Sequence, residues 1–158
     1  MIQEIINQLY DDEINNTHTV NFILCDNNLL LARQTSERVN NDLREYTNNE
    51  ERYLEFSSNS ETKTKESVYR KIVSNGIKNI LCCTNDIRIG EIVELITELS
   101  TGKFTKDLLK FKIWLDEADK FTGFINKSFI NLLENFNNIQ LYCLTATPKT
   151  LFETYNQI

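Results

Sequence analysis

The stretch Lys112-Ile113-Trp114-Leu115-Asp116-Glu117-Ala118-Asp119 passes from a short apolar run straight into three carboxylates. Ile113, Trp114 and Leu115 read as a strand buried on both faces, so Asp116 and Glu117 fall where that strand leaves its sheet. Ligands of open parallel sheets bind at that edge. Adjacent acids there can hold a hydrated magnesium ion through one carboxylate and polarise a water with the other, which is the chemistry of nucleotide hydrolysis. The same acids would also serve an ordinary helix start, where carboxylates stabilise free backbone N–H groups and the positive end of the dipole.

A second run, Leu141-Tyr142-Cys143-Leu144, ends in Thr145-Ala146-Thr147-Pro148, two small hydroxyls ahead of a chain-stiffening proline. The spacing leaves room for one helix between the two strands. Thr145 and Thr147 either work with the acids or cap the helix that Pro148 begins. Upstream, Phe22-Ile23-Leu24-Cys25 is followed by Asn27, Asn28 and then Leu31-Ala32-Arg33-Gln34, and Ile80-Leu81-Cys82-Cys83-Thr84 is followed by Asn85 and Arg88. Asn27, Asn28, Arg33, Thr84, Asn85 and Arg88 therefore lie at or just after the ends of neighbouring strands, where they could face one nucleic-acid backbone. Their structural alternatives are a helix-entry cap for Thr84 and Asn85 and an exposed helix face for Arg33.

Asp116-Glu117-Ala118-Asp119 resembles the Walker B box of the superfamily-two helicases, in the spelling that names the DEAD-box group, and Thr145-Ala146-Thr147 resembles their Ser/Thr-Ala-Thr motif. The two upstream strand ends are similar to the segments that grip one nucleic-acid strand, and all four occur in the family's order between about Val20 and Pro148. The resemblance implies the first RecA-like ATP-binding domain of such a helicase. It assigns magnesium to Asp116, ATP binding to Asp116 and Glu117, and the attacking water to Glu117. Asp119 would link the nucleotide to Thr145 and Thr147, whose hydroxyls couple hydrolysis to domain movement. The implied cofactors are ATP and Mg2+, and the implied partners are single-stranded DNA or RNA and a second RecA-like domain that carries an arginine finger.

Two departures qualify the match. Asn27-Asn28 stands where the family usually has Pro-Thr, and no Gly-x-x-x-x-Gly-Lys-Ser/Thr loop occurs among the four glycines, Gly76, Gly90, Gly102 and Gly123. The resemblance thus lacks the Walker A segment. Helix Met1–Tyr10 has the shape of the one that would follow that loop, so the chain is expected to be a piece of a longer motor or a natural truncation, with hydrolysis near background on its own. The alternative is a degenerate helicase remnant that binds protein or single-stranded nucleic acid.

The elements that must position these residues alternate. Helix Met1–Tyr10, strand Thr19–Cys25, helix Asn28–Asn41, strand Arg52–Phe56, helix Lys65–Val73 closed by Asn75-Gly76, strand Lys78–Cys83 and helix Ile87–Leu99 are expected in that order. A helical turn over Phe104–Lys110, the central strand, helix Ala118–Asn135 interrupted near Gly123, strand Ile139–Leu144 and helix Lys149–Tyr155 complete the series. Strand–helix alternation without a hairpin signal predicts right-handed crossovers and an α/β fold, a three-layer, mostly parallel sheet with helices on both faces, forming a single domain over residues 1–158.

Composition sets the outer limits. At 158 residues and 41% hydrophobic, the chain is long enough to bury roughly 70% of its unfolded surface. A net charge of −6 excludes a general basic coat for nucleic acid, so any strand binding must be local. The densest basic patch is Lys103, Lys106, Lys110 and Lys112, which reads as a solvated face. Cys25, Cys82, Cys83 and Cys143 form no Cys-x-x-Cys pair and read as small apolar filler, which with the absence of an apolar run of ~20 residues points to an intracellular protein away from membranes.

Overall fold

The computed structural model describes residues 18–25, 37, 41, 53–56, 64–83, 86–102, 109–116 and 129–144. Within them lie strands β1 (Thr19–Cys25), β2 (Tyr53–Phe56), β3 (Asn79–Cys83), β4 (Lys110–Asp116) and β5 (Ile139–Leu144), and helices α1 (Lys65–Asn75), α2 (Asp86–Thr101) and α3 (Ile130–Asn135). The strands pair in the order β2-β3-β1-β4-β5, and every pairing is parallel. The expected α/β class and parallel sheet are therefore present.

Topology decides where the helices go. The connections β2-α1-β3, β3-α2-β4 and β4-α3-β5 all advance in one direction along the sheet, and right-handed crossovers then put their helices on one face. That face is the core. Val20, Phe22 and Leu24 of β1, Ile80 and Cys82 of β3, and Phe111, Ile113 and Leu115 of β4 cluster with Val68 and Ile72 of α1, Ile89, Ile92, Leu95, Ile96 and Leu99 of α2, and Leu132 of α3. Alternate strand residues supply it, as a period of two requires. Phe22 and Phe111 meet there with ring centroids 6.3 Å apart.

The helix ends have local causes. Thr64 accepts a hydrogen bond from the Ser67 N–H at 3.2 Å through its side chain, capping α1. Gly76 stops the same helix with φ 67°, a left-handed conformation that a side chain disfavours, while the Ile77 N–H reaches back to the Lys71 carbonyl. This stop lets α1 run two residues past the expected Val73. Lys65 bridges from α1 to Glu94 at 2.8 Å and Glu98 at 2.9 Å on α2.

One expectation is corrected. Lys110 does not end a helical turn but opens β4, opposite Thr19, with its N–H donating to the His18 carbonyl at 2.9 Å. The alternation Lys110-Phe111-Lys112-Ile113 suits a strand with one polar and one apolar face, and pairing with β1 supplies the missing backbone partners. Residues 103–108 lie outside the described residues. So do the helices expected at Met1–Tyr10 and Lys149–Tyr155, most of Ala118–Asn135, and all of Asn28–Asn41 except Glu37 and Asn41, both helical.

The second face of the sheet differs in character. Ile23, Leu81 and Trp114 are buried on it, but so are Thr19, Asn21 and Asn79. Trp114 stacks on Tyr142 with centroids 4.3 Å apart and planes 13° from parallel, and its indole N–H donates to Asn21 Oδ1 at 2.9 Å. Trp114 is thus interior, as its place inside a strand predicts.

Candidate functional site

All strands run the same way, so all their C-terminal ends meet one edge. Cys25 pairs with Cys83, Asp116 pairs with Leu144, and Leu24 pairs with Leu115 one step before Cys25 and Asp116. The edge therefore reads Cys83, Cys25, Asp116, Leu144 across the sheet. In sequence, Thr84, Glu117 and Thr145 come directly after three of those ends.

Strand order adds a second feature. From β1 the chain proceeds to β2, on one side of the sheet, whereas from β4 it proceeds to β5, on the other. Since β1 and β4 are neighbours, their exits diverge, and the gap beyond Cys25 and Asp116 is a topological switch point. Ligands of open α/β sheets bind in that crevice. The first acid of the Asp-Glu pair ends the strand that forms one wall of it.

Asp116 is placed by its backbone at the end of β4, and its side chain lies outside the described residues, as do Glu117, Asp119, Thr145, Thr147, Asn27, Asn28, Arg33, Thr84 and Asn85. Arg88 is described in full, in the first turns of α2. Its guanidinium lies over the Phe56 ring, 4.4 Å from the centroid, and pairs with Glu91 at 3.2 Å with 12% of the side chain exposed. Phe56 ends β2, so the pair ties α2 to the sheet near its C-terminal edge. A phosphate contact at Arg88 would have to compete with both partners. The Arg88–Glu91 spacing was legible as an i,i+3 pair on a helix, but the stack on Phe56 depends on two segments 32 positions apart meeting in space.

The residues present fit part of the implied cofactor. A carboxylate at a strand end beside a switch point suits a hydrated magnesium ion, which binds proteins through one or two carboxylates. Nucleotide phosphates would also need a loop of converging backbone N–H groups, and the sequence carries no glycine-rich loop of that kind. Among the described residues no group of three or more His, Cys, Asp and Glu is arranged to hold a metal ion. Cys82 and Cys143 are thiols, buried and half-buried. No helix among the described residues is long and apolar enough to cross a membrane.

Comparison with protein-family models, with curated proteins and with solved structures finds no match to this chain.

Proposed function

We propose that the chain forms part of the first RecA-like domain of a superfamily-two helicase or translocase, in which ATP hydrolysis is coupled to movement on DNA or RNA. The observation that carries this reading is the shared edge: three of the four motif-bearing strands, β3, β1 and β4, lie side by side and the fourth, β5, is next to them, all ending in register. Asp116 would hold magnesium, Glu117 would polarise the attacking water, and Asp119 would connect them to Thr145 and Thr147. Asn27, Asn28, Arg33, Thr84 and Asn85 would face the nucleic-acid backbone, with Arg88 chiefly bracing α2 against Phe56. The phosphates would be cradled by a loop supplied from outside this sequence, and an arginine from a second domain would complete the site.

The test joins this domain, in cis or in trans, to a segment bearing such a loop and to a second helicase domain. Mg·ATP binding and phosphate release stimulated by single-stranded nucleic acid are then measured. Glu117→Gln should lower phosphate release by about 10²–10³-fold while sparing Mg·ATP binding. Failure of the joined protein to bind Mg·ATP would end the enzyme reading. The lack of a phosphate loop in the sequence supports a second reading, a nucleotide-free binding module for single-stranded nucleic acid or protein. In that case Glu117→Gln leaves the cellular role of the parent protein unchanged.

A further inference from the structure

Register divides the second face of the sheet into rows, because each strand contributes every second residue to it. Asn79, Asn21, Lys112 and Gln140 form a polar row across four strands. Leu81, Ile23 and Trp114 follow two positions further along. By the same alternation the last row, at the C-terminal edge, begins with Cys83 and Cys25. These two cysteines are the final paired positions of neighbouring parallel strands, since β3 ends at Cys83 and β1 at Cys25.

Of the pairings open to the four cysteines, topology leaves one. Cys82 and Cys83 are consecutive in β3 and so take opposite faces. Cys82 is buried in the helix-covered core, on the other face from Cys25. Cys143 lies on β5, which β4 separates from β1 and both β4 and β1 separate from β3. Its backbone is therefore roughly 10 Å or more from the other three by sheet spacing, beyond the ~7 Å that a disulfide can bridge. Cys25 and Cys83 are one interstrand gap apart, about 4.8 Å, inside the ~4.4–6.8 Å usual between the Cα atoms of a disulfide. The bond also asks for Cβ atoms about 3.8 Å apart. At the last rung of a ladder two strand ends can draw together with no further rung to disturb.

We infer that Cys25 and Cys83 form a reversible dithiol–disulfide site, closed by exchange with a small-molecule disulfide of the oxidised-glutathione class. The thiolate of one cysteine attacks a sulfur of the oxidant, breaking its S–S bond, forming a mixed disulfide and releasing one glutathione thiol. The thiolate of the other cysteine then displaces the second glutathione and completes the Cys25–Cys83 bond. The two cysteines are oxidised, and the protons they give up end on the two glutathione thiols. The competing role is small apolar filler, which is the place Cys82 occupies in the core. What sets the other pair apart is its shared rung. The bond needs only the sheet register, so it stands independently of the nucleotide chemistry proposed at the same edge.

The test is disulfide mapping by mass spectrometry on the full chain, held folded in oxidised glutathione and digested after its remaining thiols are blocked. A peptide linked through Cys25 and Cys83 is expected, and dithiothreitol should split it. The oxidised chain should melt about 5–10 °C above the reduced one, because the bond closes a long loop of the unfolded chain. Cys25→Ser and Cys83→Ser should each remove the link and the shift, whereas Cys143→Ser should keep both. The wild-type map decides the matter even if a serine variant folds poorly. The inference is overturned if Cys25 and Cys83 stay thiols or end as separate glutathione adducts, if the link runs to Cys82 or Cys143 or between two chains, or if it forms only in denaturant. It also fails if the linked chain melts below the reduced one, since the bond would then form only by distorting the register.

Discussion

The two faces of the sheet solve the same burial problem differently. On one, alternate residues of every strand are apolar and meet α1, α2 and α3 in a continuous cluster. On the other, Ile23, Leu81 and Trp114 share their burial with Asn21 and Asn79. The first face needs only shape and hydrophobicity. The second needs its hydrogen bonds assigned one by one. The Trp114 indole can only donate, so Asn21 must present Oδ1 to it; Asn21 Nδ2 then points to Asn79 Oδ1 at 3.3 Å, and this orients Asn79 in turn. The chain of donors runs out at Asn79 Nδ2, which is buried without a partner. Stability thus resides in the first face, while the second gives up some of it to hold polar groups in a fixed line.

Substitution separates the two. The largest effect is expected from Phe22→Ala, which removes a fully buried ring stacked on Phe111 and should lower unfolding free energy by about 3–5 kcal/mol in urea titrations. Loss of less than ~1 kcal/mol would mean that this face is not the main core.

On the second face, Asn21→Leu should cost about 1–3 kcal/mol because it strands the Trp114 indole N–H. Adding Trp114→Phe should recover part of that loss in a double-mutant cycle. Asn79→Val removes a donor that has no partner together with the acceptor of the 3.3 Å bond from Asn21 Nδ2, and should cost less than Asn21→Leu, about 1 kcal/mol. Equal losses for Asn21→Leu and Asn79→Val would erase the proposed direction of the hydrogen-bond chain.

The smallest effect belongs to Lys65, on the surface between α1 and α2. The hydrogen bond to Glu94, then the one to Glu98, raises its pKa above the ordinary lysine value. A raised lysine pKa gives stability that is fully present below the unfolded value of about 10.4 and is lost only as pH rises through the still higher folded value. The small gap in melting temperature between wild type and Lys65→Met should therefore be the same at pH 7 and pH 9, and added salt should narrow it. A gap that closes by pH 9 would contradict the raised pKa.

The sequence was most readable where one local pattern decided the outcome. The apolar runs Thr19–Cys25 and Ile139–Leu144 became β1 and β5 with the expected bounds, and Gly76 stopped α1 because a left-handed residue follows a helix end well. Three apolar residues announced β4, yet the strand starts at Lys110, since its first half alternates and gains its partners only from β1. The polar row was not legible at all. Asn21, Asn79, Lys112 and Gln140 each look like one tolerated polar residue in a strand, and only register lines them up. For the candidate site, the strand ends and their common edge followed from the alternation of elements, whereas the Arg88–Phe56 stack required tertiary structure.

The position of β1 constrains how the molecule is made. It is the first of the five strands to leave the ribosome, yet it occupies the middle of the sheet. Both its hydrogen-bonding flanks await later segments, and the bond from Trp114 to Asn21 closes a separation of 93 residues. At translation rates of about 5–20 residues per second, a nascent strand with the sequence Thr-Val-Asn-Phe-Ile-Leu-Cys stays without its neighbours for several seconds. Such long-range closure slows folding, so chaperone capture of the growing chain should be strongest before Asp116 emerges.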